Sequence, residues 1–209
     1  MSETVRIRAV EVARTATTPT GAQHLLAPVS FDLHAGELVV VAGPSGSGKT
    51  TLCNVLIGWE RPDSGHVEWI DTGRKGWDRC SVSPQRLALL PQLTIGENIL
   101  VPAWVAGGDA ASRLDELAHA LQIDPLLHRM PADVSFGEQQ RAAIARALVA
   151  TPDVAILDEP TGHQDEARTT LTIDALLAAR AAGTCVLAAS HDPDLIDAAD
   201  RVITLQRAR

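Results

Sequence analysis

The sequence has no tyrosine and only two phenylalanines among its 209 residues. Each aromatic ring is therefore conspicuous where it stands, and Phe136 in "DVSFGEQQR" (133–141) is the most conspicuous. Paired cysteines are also missing: Cys53, Cys80 and Cys185 stand apart with no C-x-x-C spacing. That excludes a disulfide framework or a zinc ribbon and reads as inert thiols in a reducing compartment. Positive charge is short as well. Eighteen Lys and Arg against 26 Asp and Glu leave a net charge of −8, which opposes general affinity for nucleic acid or anionic lipid. No apolar run approaches the roughly 18 residues of a membrane span. The charged start "MSETVRIRAVEVAR" lacks the apolar core of a signal peptide. If such a chain works at a membrane, another chain must supply the spans. Tandem repeats, heptads and low-complexity tails are absent too.

What is present is ordinary for a globular protein, at 45% hydrophobic and 21% charged residues. The length suits one domain spanning 1–209. "GELVVVAG" reads as a buried strand between Gly36 and Gly43, and "KTTLCNVLIG" as a helix with Leu52, Val55 and Leu56 on one face and a stop at Gly58. "RIRAVEVA" and "GHVEWI" alternate, as strands of a peripheral antiparallel sheet do. "TATTPTG" (15–21) reads as a surface loop. Residues 94–127 turn helical, with Leu114, Leu117 and Leu121 on one face. A helix is expected from 135 to Ala150, ending before Pro152, and another over 166–182. "VAILDE", "TCVLAAS" and "RVITLQ" supply further strands. Strand–helix alternation with continuous apolar strands implies an α/β fold, a parallel sheet covered by helices.

"GPSGSGKT" (43–50) matches G-x-x-x-x-G-K-[ST], leaving an expected strand and opening an expected helix. Glycines let the loop curl so that its N–H groups converge on phosphate oxygens. Gly43, Pro44, Ser45, Gly46, Ser47, Gly48, Lys49, Thr50 and the adjacent Thr51 are thus the expected nucleotide-binding residues. Lys49 would reach the β- and γ-phosphates and the Thr50 hydroxyl would ligate Mg²⁺. "VAILDEP" ends an apolar strand in two carboxylates at the edge where open α/β sheets bind ligands. Taken alone, such a pair is more often a helix cap. Beside a phosphate loop the reading reverses: Asp158 would hold Mg²⁺, and Glu159 would polarise an attacking water.

These elements, together with "VSFGEQQRAAIARAL", resemble the ATP-binding-cassette (ABC) ATPases over nearly the whole chain. The resemblance implies a P-loop NTPase with a RecA-like parallel-sheet core, a peripheral antiparallel β subdomain and a helical subdomain inserted at about 93–150. Gln85 in "SPQRLALLPQLTIGEN" is similar to the Q-loop glutamine, which implies a place among both the catalytic residues and the Mg²⁺ ligands. His191 in "AASHD" is similar to the switch histidine at the γ-phosphate, and Asp165 in "GHQD" to the D-loop aspartate. The family's cassettes pair head to tail around two ATP molecules, so Ser135, Gly137, Glu138 and Asp165 would contact the nucleotide of a second cassette. Ser135-x-x-Glu138 is also a capping box, aiming a helix N-terminus at that nucleotide. "RLALLPQLTIGENILVP" and "RMPADVSFGEQQR" most resemble the lipoprotein-release, macrolide-export and FtsE-like branch. The implied protein is an ATP-hydrolysing subunit, cytoplasmic and held at the inner face of the membrane by separate permease subunits, with no nucleic-acid partner.

The chain also departs from that pattern. Phe136 stands where the family's signature has glycine. Ala16 or a neighbour falls where the family stacks an aromatic on adenine. His163-Gln164 replaces the common Asn-Leu, and the stretch from Gly65 to Gln85 looks short enough to lack a helix or loop. Two other readings therefore stand beside the transporter subunit. One is a regulatory cassette with weak hydrolysis owing to Phe136, and the other a soluble ABC ATPase outside transport.

Overall fold

The computed structural model describes residues 4–18, 21–70, 72–107, 110–162 and 164–207. Its centre is a five-stranded parallel sheet built from β3 (Leu38–Ala42), β5 (Cys80–Ser83), β6 (Val154–Asp158), β7 (Cys185–Ala189) and β8 (Arg201–Thr204), in the order β5-β6-β7-β3-β8. The inner strands carry apolar residues without interruption because both faces are covered. Leu38 and Val40 pack on one side with Ile144, Leu148 and Leu176, while Val39 and Val41 pack on the other with Leu52, Val55 and Leu56. Helix α1 (Lys49–Leu56) covers the second side. Helices α5 (Phe136–Leu148) and α6 (Glu166–Ala181) cover the first.

The peripheral sheet is antiparallel, in the order β2-β1-β4, from β1 (Val5–Thr18), β2 (Gly21–His34) and β4 (Ser64–Trp69). Here the expected loop at 15–21 is corrected. Thr15 pairs with His24, Ala16 with Gln23, Thr17 with Ala22 and Thr18 with Gly21, so the hairpin ladder runs through most of it. The β-branched threonines favour a pleated strand, and this pairing outweighs the turn signal of Pro and Gly. Residues 19 and 20 of that expected loop lie outside the described residues. Between Gly65 and Gln85 the chain retains a one-turn helix, α2 (Gly76–Arg79), before the edge strand β5.

Between β5 and β6 the chain forms α3 (Ile95–Ala106), α4 (Ala111–Ala120), two short 3₁₀ turns and α5. Leu117 and Leu121 are buried in the same cluster as Ile95, Ile99 and Ile144, with Leu114 packed at its edge. Helix α5 ends at Leu148 rather than Ala150, and Thr151 takes a φ of +44°. Pro152 disfavours helical geometry in the residue before it. The last helix, α7 (Pro193–Asp197), is short.

Asn98 organises the entry to α3. It is fully buried; its side chain accepts from the Leu90 N–H at 2.7 Å and donates to the carbonyls of Leu90, Leu93 and Thr94 at 2.9–3.0 Å. Replacement by Ala removes a partner of the Leu90 N–H and of the Leu90 and Leu93 carbonyls, all of them partly buried bonds. Asn98→Ala should therefore lose about 2–4 kcal/mol of stability, read by urea denaturation. A midpoint equal to that of the wild type would show that water replaces those bonds.

Candidate ATP site

The loop after β3 bends back on itself before α1 begins. Ser47 N–H donates to Pro44 O at 3.1 Å, and Gly48, the residue before the helix, has a φ of +97°. A Cβ at Gly48 would lie 2.4 Å from the Leu25 carbonyl oxygen, so sterics and conformation both demand glycine. No side chain caps α1, and no acidic residue occupies its first turn. Its N-terminal amides and positive dipole end are therefore open to an anion. They border a cleft of about 300 Å³ lined by Leu25, Ser45, Gly46, Gly48, Lys49, Thr50, Thr51, Gln85 and Glu159. Gly43, Pro44 and Ser47 do not line this cleft, and Ser47 is 1% exposed with a hydroxyl that has no protein partner.

Three strand ends bring the remaining groups together. Lys49 Nζ donates to Gly43 O at 2.8 Å and lies 3.8 Å from Glu159 Oε1. The first contact is a hydrogen bond, and the second is a looser ionic approach. Thr50 Oγ1 donates to Asp158 Oδ2 at 2.7 Å. Asp158, at the end of β6, is buried, and desolvation pushes its carboxyl above the usual range despite the Thr50 hydrogen bond. Its Oδ1 has no protein partner, an expensive arrangement unless something else binds there. His191, just beyond β7, places Nδ1 3.1 and 3.0 Å from the two Glu159 carboxylate oxygens. Gln85, just beyond β5, is exposed on the rim of the cleft.

Other expected residues lie elsewhere. Ser135 caps α5, its hydroxyl accepting from the Glu138 N–H at 3.4 Å while the Glu138 carboxylate accepts from the Ser135 N–H at 2.7 Å. The Ser135 hydroxyl, which also donates to that carboxylate at 2.7 Å, and then the Ser135 N–H hold the Glu138 carboxyl below its usual range. Asp165 caps α6, accepting from the Arg168 N–H at 3.0 Å. Ser135, Gly137, Glu138 and Asp165 do not line the 300 Å³ cleft of this copy. Phe136 is 48% exposed, and its ring borders a separate surface cleft with Leu87, Pro91, Pro131 and Gln139. Ala16 sits in the hairpin opposite Gln23. His163 lies outside the described residues.

A family model described as "ABC transporter" matches residues 26–162, more than half of the chain. The chain belongs to the ABC transporter ATP-binding family. As an ABC ATPase it binds and hydrolyses ATP. Similar ABC relatives include the lipoprotein-releasing system ATP-binding protein LolD of Legionella pneumophila (strain Lens), 35% identical over 89% of this chain and 88% of the relative. The uncharacterized ABC transporter ATP-binding protein YknY of Bacillus subtilis (strain 168) is 33% identical over 87% and 85%. A solved ABC structure, the ATP-binding cassette MJ0796 in a dimeric post-hydrolysis state bound to ADP and Pi, superposes with a TM-score of 0.85 at 26% identity. That match covers 97% of both chains. The expected likeness to the lipoprotein-release branch is thus matched by relatives of that name. Among the described residues, no helix is long and apolar enough to cross a membrane.

Proposed function

We propose that the protein is the ATP-hydrolysing subunit of a membrane transporter, cytoplasmic and peripheral, closing against a second cassette and driving separate permease subunits. The observation that carries this reading is the arrangement at an open helix N-terminus, where Lys49, Thr50 and Glu159 line the cleft, Asp158 accepts from Thr50 and His191 sits against Glu159. The loop amides of 43–51 and the Lys49 ammonium hold the triphosphate. Thr50, Asp158 and Gln85 fit Mg²⁺, because the orphaned, buried Asp158 Oδ1 beside the Thr50 hydroxyl is a hard oxygen site. Mg²⁺ when bound neutralises phosphate charge. Glu159 orients the attacking water and takes its proton, and His191 steadies that carboxylate and faces the γ-phosphate. Hydrolysis therefore depends on Glu159, and the Glu159→Gln variant is its test.

Ser135, Gly137, Glu138 and Asp165 serve the partner cassette's nucleotide. Ser135, Gly137 and Glu138 lie at the start of α5, whose positive dipole end favours phosphate, and Asp165 caps α6. The dimeric state of the similar MJ0796 cassette supports this arrangement. LolD-named relatives support a role like that of a lipoprotein-releasing system. Base selectivity should be weak. β1 carries no ring at Ala16, and one lost stacking contact is worth about 1–3 kcal/mol. GTP should compete with a fluorescent ATP analogue within about an order of magnitude of ATP; a hundredfold preference would place the base contact on another residue.

Phe136 hinders closure without preventing it, its ring half exposed at the first turn of α5. In a Glu159→Gln background, Phe136→Gly should increase the ATP-driven dimer seen by size-exclusion chromatography. It should also cost about 0.5–1 kcal/mol of stability through added backbone entropy. Lower stability without a gain in dimer would show that the ring only packs within its own copy.

A further inference from the structure

The backbone turns sharply where β6 delivers Glu159. Its φ is +51°, a left-handed conformation uncommon for a residue with a side chain, which persists only where its surroundings hold it. The Glu159 N–H donates to Ala189 O at 2.8 Å, tying it to β7. The Glu159 carbonyl accepts from the Gly162 N–H at 3.2 Å and from Gln140 Nε2 at 2.6 Å. Gln140 belongs to α5 and is 4% exposed. The next carbonyl, Pro160 O, accepts from Gln164 Nε2 at 3.0 Å. Gln164 is itself held, because the fully buried Thr172 hydroxyl of α6 donates to its Oε1 at 3.1 Å. Two consecutive carbonyls are thus gripped by glutamines, one on α5 and one anchored to α6.

We propose that Gln140 and Gln164 form a clamp that positions Glu159, fixing its strained backbone so that its carboxylate stays at His191 and Lys49. This inference rests on Glu159 being the catalytic base. Neither glutamine lines the cleft, so both act through the main chain of Glu159 and Pro160. The composition of the clamp points to function over packing. Gln140 Oε1 is buried without a protein partner, and an orphaned acceptor costs stability that an apolar side chain would not. Gln140 is kept for its donor. Gln164 occupies a position where this sequence departs from the common Asn-Leu pair. Without the donors, the turn relaxes toward negative φ and the carboxylate swings away from the attacking water. Small displacements of a reacting group are expensive, on the order of a hundredfold in rate for about 1 Å.

The test uses the full-length chain with three substitutions, Gln140→Leu, Gln164→Leu and Thr172→Val, the last nearly isosteric. Phosphate release gives kcat, and a fluorescent ATP analogue gives affinity. Gln140→Leu should lower kcat by about tenfold or more while nucleotide affinity stays within about threefold. Gln164→Leu and Thr172→Val should lower kcat in the same direction by a smaller factor. An unchanged kcat in Gln140→Leu overturns the clamp, as does a parallel loss of affinity and melting temperature with kcat retained. Should Gln140→Leu fail to fold, normal turnover in both other variants overturns it. Glu159→Gln, run alongside, separates the two claims. Normal hydrolysis there removes the base assignment, whereas an inactive Glu159→Gln with a normal Gln140→Leu removes the clamp alone.

Discussion

Lys49→Ala should weaken Mg·ATP binding on the order of a hundredfold. The ammonium is pre-positioned by the Gly43 carbonyl at 2.8 Å and lies only 3.8 Å from Glu159, at the floor of the cleft. Two charge-assisted bonds to phosphate oxygens are each worth about 1.5–3 kcal/mol, and every 1.4 kcal/mol or so is a factor of ten. The fold should survive, because alanine is a good helix former at the start of α1 and the Leu52–Leu56 face is untouched. Titration with a fluorescent ATP analogue reads the effect. Equal affinity in the two proteins would move the phosphate site away from residues 43–51.

Glu159→Gln should separate binding from chemistry. The substitution keeps the size of the side chain and a hydrogen-bonding group near His191 Nδ1, now 3.0–3.1 Å from the carboxylate. It removes the basicity needed to take a proton from water. General-base catalysis contributes about 10²–10⁴-fold, so phosphate release should fall by at least about a hundredfold while ATP still binds. ATP then lingers, and the two-cassette closed state should accumulate. Retained hydrolysis would assign proton transfer to another group. The alternative of a regulatory, weakly hydrolysing cassette draws on Phe136 alone, whereas Lys49, Thr50 and Glu159 line one cleft with Asp158 and His191 bonded to them.

The residues that declare the site are also the ones easiest to read. Glycine at 48 is forced by the Leu25 carbonyl, and Lys49 and Thr50 follow where a strand must turn into a helix. The strands β3, β6 and β7 are legible because burial on both faces removes the polar alternation that marks exposed sheets. The capping box of Ser135 and Glu138 is visible in sequence for a local reason, since both partners lie within one turn. β2 was harder to see. Pro28 falls at one of several register shifts between β2 and β1, so no clean period survives. The edge strand β5 is four residues long, too short for periodicity to show. Gln140 was hidden for a different reason. Its donor role depends on a carbonyl at Glu159, distant in sequence, and a polar residue on a helix face carries no local sign of such a partner.

ATP held by residues 43–51 and hydrolysed between two cassettes is the arrangement on which the account depends. A crystal structure of the Glu159→Gln variant grown with Mg·ATP tests it most directly. The expected result is a dimer with the triphosphate wrapped by the 43–51 amides, Lys49 at the β- and γ-phosphates, and Ser135 of the second copy at the γ-phosphate. A nucleotide bound away from Lys49, or bound there with the second copy's α5 turned to solvent, would contradict it.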